Sequence, residues 1–145
     1  MRSAYRSAQR VTTTAHNVLL TLTFDGGGAA VGIGESAPAT YVTGETQDSV
    51  RDALHRFFQN RVGETPDAVL SRATLELADA PGALGAVEIA VADAVARASG
   101  VPLFRHLNTV ATATPRVTDL SLPILPVDEA ASRAAQAARD GFRAL

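Results

Sequence analysis

Moving a proton at neutral pH needs a side chain whose pKa can be tuned into that range, and His, Lys, Asp and Glu are the usual choices. All 13 basic residues of this chain are arginines, and there is no lysine. Arginine stays protonated and holds anions with a planar fork of donors, so it does not serve as a base. Any mechanism that requires lysine must draw it from outside these 145 residues. His16, His55 and His106 are far apart, and none belongs to a metal-binding spacing such as H-E-x-x-H. Surface or capping roles suit them better. Cysteine is absent, which excludes disulfides and thiolate metal sites. The serines lack a G-x-S-x-G context, so a hydrolase triad has no support.

Three groups remain. Gly26-Gly27-Gly28 with Gly32 and Gly34 is glycine-rich, but a phosphate loop must follow a strand and open a helix. Here the glycines form a hairpin turn and continue into its second strand. Glu88 and Asp93 lie in one helix, five residues apart, whereas helix neighbours are three or four apart. A structural role is favoured for this pair, with Arg97 as the partner of Asp93. Asp119 and Ser121 share one face of a predicted strand, opposite Leu120, Leu122 and Ile124. The pattern leaves two readings open: an inward face at the mouth of a barrel, or the exposed face of an edge strand.

The elements that would position these groups follow from periodicity and punctuation. Residues 17–24 and 29–35 read as two strands joined by the Asp25–Gly28 turn. Residues 36–45, with Pro38 and Gly44, read as a loop. Thr46 caps a helix with an apolar stripe of Val50, Ala53, Leu54, Phe57 and Phe58. Thr65-Pro66 starts a second helix through Val69, Leu70, Ala73 and Leu77. Pro81-Gly82 opens a third, to about Ser99, apolar on nearly every side and therefore expected to be buried; Gly100 and Pro102 end it. Residues 117–124 then read as a strand, 128–140 as an Ala-rich helix, and 142–145 as the start of another strand. That strand–helix–strand order is the unit of a parallel sheet or barrel. The expected fold class is α+β: a β-hairpin packed on a three-helix bundle, followed by the first βα unit of a truncated (β/α) barrel.

The formal charge of −2 argues against a nucleic-acid or anionic-membrane surface. No apolar run approaches the roughly 18 residues of a membrane span. No signal peptide opens the chain, and a cytoplasmic location is expected.

Three stretches together resemble a known family. Gly32-Ile33-Gly34-Glu35-Ser36-Ala37-Pro38 with Val42-Thr43-Gly44-Glu45-Thr46 resembles the hairpin exit and following loop of the enolase superfamily's muconate-lactonizing, mandelate racemase-like subgroup. Ala86-Val87-Glu88-Ile89-Ala90 through Asp93, then Gly100-Val101-Pro102-Leu103, resembles its capping-domain helix. Thr118-Asp119-Leu120-Ser121 and Ala137-Ala138-Arg139-Asp140-Gly141-Phe142 resemble its first barrel strand and helix. The Thr-Gly-Glu-Thr loop and the Thr-Asp-x-Ser strand are most similar to the dipeptide epimerases acting on L-Ala-D/L-Glu.

The resemblance implies a capping domain at residues 1–112, its first strand missing, and the start of a barrel at residues 113–145. It implies Mg²⁺ in the full-length family, stabilising an enediolate formed when a base removes the proton α to a carboxylate. The Lys-x-Lys pair, the three carboxylate ligands and the opposing lysine would all lie beyond Leu145. This chain is therefore expected to hold no catalytic residue and no metal, and to be inactive alone. Arg6 is similar to the arginine of the first cap loop that holds the substrate's distal carboxylate, with Arg10 as a rival. Ser121 occupies the place of a substrate-contacting hydroxyl, and Thr43, in the loop that follows the hairpin, is carried over as substrate-binding. The implied partner is a small carboxylate or dipeptide, and a homo-oligomer is possible. The alternatives are o-succinylbenzoate synthase, N-acylamino-acid racemase or muconate cycloisomerase of the same superfamily, or a non-catalytic cap-like module.

Overall fold

A computed structural model of the chain describes residues 5–8, 10–25, 30–59, 61–107 and 117–144. The strands are β1 (Tyr5–Arg6), β2 (Val11–Thr12), β3 (Val18–Phe24) and β4 (Ala30–Ser36). The helices are α1 (Thr40–Thr43), α2 (Gln47–Phe58), α3 (Pro66–Glu76), α4 (Pro81–Ala98), α5 (Leu103–His106) and α6 (Val127–Arg139). The fold is α+β, with two small antiparallel strand pairs and six helices among the described residues. Two compact units divide the chain, His16–Ala111 and the pair of segments Met1–Ala15 and Thr112–Leu145.

In the unit His16–Ala111, local signals set the helix ends. Thr46 Oγ1 accepts the Ser49 amide and Ser49 Oγ accepts the Thr46 amide, a reciprocal cap that starts α2. Thr65 Oγ1 accepts the Ala68 amide ahead of Pro66 and starts α3. Gly100 follows α4 with φ +66°, a conformation glycine enters without strain. Strands β3 and β4 pair antiparallel from Val18↔Ser36 to Phe24↔Ala30. Opposite residues share a face, so Leu20 and Leu22 lie beside Gly34 and Gly32.

Those glycines admit α4 at backbone contact. A Cβ on Gly32 would lie 1.9 Å from the Ala90 carbonyl oxygen, and one on Gly34 would lie 1.9 Å from that of Ala86. The alanines Ala86, Ala90 and Ala94 are all at most 1% exposed where the helix meets the strand. The core lies among α2, α3, α4 and the hairpin: Val50, Leu54, Phe57, Ala73, Leu77, Val87 and Val91 are buried, with Val18, Leu20, Leu22 and Phe24 packed on them. Each fully buried valine or leucine there contributes roughly 1.5–3 kcal/mol of transfer free energy. None of the helices among the described residues is long and apolar enough to cross a membrane.

Several expectations are corrected. Residues 36–45 are not simply a loop, because residues 40–43 close the one-turn helix α1, which Gly44 ends at φ +78°. Helix α4 is not buried all round: Glu88 is exposed and Ile89 is 48% exposed. In the other unit, residues 117–124 are not an extended strand. They contribute a single parallel bridge, Asp119↔Ala144, with the Leu120 amide donating to the Ala144 oxygen at 3.1 Å. A strand exists only where a neighbour pairs along it, and among the described residues the pairing amounts to that one bridge. Leu120 and Leu122 are half-buried as the alternation predicts, but Ile124 is 52% exposed. Helix α6 ends at Gly141, φ +95°, close to expectation. Helix α5 and the β1–β2 pair had no clear signal in the sequence. Residues 26–28 of the expected hairpin turn lie outside the described residues.

Candidate functional site

The segment carrying Arg6 is short and polar, yet it is tied down. Tyr5 and Arg6 pair with Thr12 and Val11, and the connecting turn is closed by the Ser7 amide donating to the Arg10 oxygen at 2.8 Å. Arg6 therefore lies in a small hairpin, not in the irregular loop its family position suggests. Its carbonyl accepts the Ile124 amide at 2.8 Å, which ties the hairpin to Ile124 within one unit. The Arg6 side chain is exposed and has no hydrogen bond or ion pair among the described residues. Ser121, three residues before Ile124, is exposed, as is Asp119. Arg6 and Ser121 fall within the same compact unit. The exposure of Asp119 and Ser121 fits both readings of their face.

Thr43 belongs to the other unit, as the last residue of α1. Its Oγ1 accepts the Glu45 amide at 3.3 Å, and Thr40 Oγ1 donates to the Glu45 carbonyl at 3.2 Å. The Glu45 side chain was not singled out by sequence reasoning. It is 8% exposed, and its carboxylate accepts the Gly82 amide through Oε1 at 3.0 Å and Oε2 at 2.9 Å. A local signal did exist: α4 starts after Ala80, which has no side-chain acceptor, so its first amides need one from elsewhere. The Glu45 carboxylate meets that need at Gly82.

The helix carboxylates sort as structural groups. Asp93 accepts the Ile33 amide at 3.0 Å and pairs with Arg97 Nε at 3.0 Å. The Ile33 hydrogen bond first, and then Arg97, hold the Asp93 carboxyl below its ordinary range. Arg61 and Arg72 likewise lower Glu76, which bridges them at 2.8 Å to each. Glu88 is exposed. A groove of about 510 Å³ runs between Leu22–Asp25 and the α2–α3 connection, and none of Arg6, Thr43 or Ser121 lines it. Among the described residues, no three His, Asp or Glu side chains are grouped to hold a metal ion. No set of side chains among the described residues therefore fits a Mg²⁺ centre.

No protein-family model matches the chain. Curated relatives and solved structures do. L-Ala-D/L-Glu epimerase of Bacillus subtilis (strain 168) is 30% identical over 145 residues, which cover 97% of this chain and 38% of the epimerase. A hydrophobic dipeptide epimerase of Citrifermentans bemidjiense is 33% identical over 155 residues, covering 100% of this chain and 42% of the relative. The crystal structure of a dipeptide epimerase from Methylococcus capsulatus, complexed with Mg and the dipeptide L-Arg-D-Lys, matches with a TM-score of 0.83 at 28% identity. That match covers 97% of this chain and 40% of the other. The chain thus spans about 40% of the length of the relatives it matches. With the glycine-lined hairpin, the helix it admits and the Thr-Asp-x-Ser segment all inside the matched span, the homologues of this chain are dipeptide epimerases of the enolase superfamily, matched over nearly its whole length.

Proposed function

We propose that the chain supplies the capping part and the opening of the barrel of a dipeptide epimerase, an isomerase that removes and returns the proton α to a carboxylate. The observation that carries this reading is the whole-chain match to a dipeptide epimerase complexed with Mg and dipeptide. In the proposed organisation, residues 1–112 form the cap, with the β3–β4 hairpin on a bundle of α2, α3 and α4, and residues 113–145 open the barrel. The parallel bridge Asp119↔Ala144 across α6 supports the second part, since a strand–helix–strand unit returns parallel to itself.

In this reading the chain's own residues bind and orient. Arg6 holds a carboxylate of the dipeptide through its guanidinium fork and Ser121 offers a hydroxyl; Thr43, in the other unit, is a separate substrate-binding candidate. Proton transfer falls to lysines outside these residues, because arginine cannot act as the base. The group's relatives differ in the dipeptides they are named for, and the exposed guanidinium of Arg6 favours an acidic one here.

The test is α-proton exchange in D₂O with L-Ala-L-Glu and Mg²⁺. It compares the purified chain alone with the chain mixed with a separately expressed barrel portion of the Bacillus subtilis relative. Exchange is expected only in the mixture. Exchange by the chain alone would overturn the proposed division of labour.

A further inference from the structure

The turn bearing Thr43 is held in place by a contact far from it in sequence. Helix α1 is a single turn, closed by the Val42 and Thr43 amides donating to the Ala39 oxygen at 2.7 and 3.1 Å and by the Gly44 amide donating to the Thr40 oxygen at 3.0 Å. Four residues cannot sustain a helix alone, since the first turn fixes more dihedrals than its hydrogen bonds compensate. The segment also exposes two large apolar side chains, Tyr41 at 62% and Val42 at 69%, so core burial does not hold it.

Glu45 ties it to α4. Its backbone is bonded to both ends of the turn, through Thr40 Oγ1 and Thr43 Oγ1. Its buried carboxylate is bonded to the Gly82 amide in the first turn of α4, the helix packed on β4. The seat is shaped for it: a Cβ at Gly82 would come within 2.8 Å of both Glu45 Oε2 and Ser36 Oγ. Leaving either the carboxylate or the α4 amide unpaired here is costly, so the contact is strongly specified.

We propose that Glu45 is a positioning residue, locking the Thr40–Thr43 turn onto the N-terminus of α4 so that Thr43, Tyr41 and Val42 are presented to substrate in one fixed geometry. The substrate-facing role of the turn rests on the dipeptide-epimerase reading; the lock itself does not. Glu45 touches no reacting atom and acts through the turn.

The test uses the 145-residue chain and two ways of opening the lock. Glu45→Ala removes the carboxylate. Gly82→Ala leaves Glu45 in place but fills its seat, and the atoms that must yield are the tips of flexible side chains, so the fold is retained. Amide hydrogen exchange is read at Val42, Thr43 and Gly44, and at Val87 and Val91 inside α4. Both variants should speed exchange in the turn by at least tenfold and leave Val87 and Val91 within about twofold of the parent. Glu45→Gln, which retains an oxygen acceptor for the Gly82 amide, should restore protection. Tyr41 offers a second readout: with Tyr5→Phe it is the sole tyrosine, there is no tryptophan, and its fluorescence anisotropy should fall when the lock opens. Unchanged turn exchange in both variants would reduce Glu45 to a helix cap and overturn the proposal. Equal acceleration at Val87 and Val91 would do the same, by showing a global loss of stability. Because exchange is read without substrate, failure of the epimerase reading and failure of the lock are separable.

Discussion

Gly34→Ala should separate α4 from the hairpin. The added Cβ would lie 1.9 Å from the Ala86 carbonyl oxygen, 2.9 Å from the Ala86 carbonyl carbon and 3.0 Å from the Ala90 nitrogen. Ordinary contact begins at 3.4 Å, so the shortfall against the oxygen is about 1.5 Å. Every obstacle is backbone, so no rotamer change can relieve it, and trimming Ala86 to glycine would not help. Helix and strand must move apart along the interface that buries Ala86, Ala90 and Ala94. Overpacking typically costs about 1–3 kcal/mol, and an obstacle made of backbone places this case at or above the upper figure. With an m-value of roughly 1–3 kcal/mol/M, the urea midpoint followed by circular dichroism should fall by about 1 M or more. Gly85→Ala is the control. Its Cβ would meet nothing within 4 Å, so relief from a mid-helix glycine should raise stability by about 0.5–1 kcal/mol. A Gly34→Ala midpoint equal to the parent's, or shifts of the same sign for both variants, would refute the argument that backbone contact sets the hairpin–helix spacing.

Two further outcomes follow from the polar groups. Asp93 is held below its ordinary pKa by the Ile33 amide and by Arg97, so its stabilising contribution is present above the unfolded-state value of about 3.9 and is lost as pH falls through the lower folded value. Asp93→Asn should therefore be less stable than the parent at pH 7, with the gap closing below about pH 4; urea midpoints across pH 2–7 check this, and a pH-independent gap would refute it. In an active assembly containing this chain, Arg6→Ala should raise KM for acidic dipeptides roughly 10–100-fold, the loss expected for a hydrogen bond to a charged group, and affect neutral dipeptides much less. Steady-state kinetics on both classes decide it, and equal effects on the two would remove Arg6 from the carboxylate-binding role.

Where an element's signals are local, residues met in sequence order determined it. Thr46 and Thr65 cap helices because a hydroxyl at that position reaches an amide three residues on. Gly100 and Gly141 end helices because glycine enters positive φ without a Cβ penalty. Residues 17–24 read as a strand that the structure bears out as β3, and the order of three motifs carried the family resemblance. What depends on distant partners waited for the tertiary structure. Gly32 and Gly34 read only as part of the hairpin's second strand until α4 is set against them. Glu45 read as one more polar loop residue until Gly82, 37 positions away, supplied its amide. The 117–124 segment has strand alternation, yet only Asp119 finds a bridge partner among the described residues, because pairing belongs to two segments and not to one. Arg6 was visible as an arginine that could hold a carboxylate, but its place in one compact unit with Ser121 comes from the Ile124 hydrogen bond, between residues 118 positions apart that no local propensity connects.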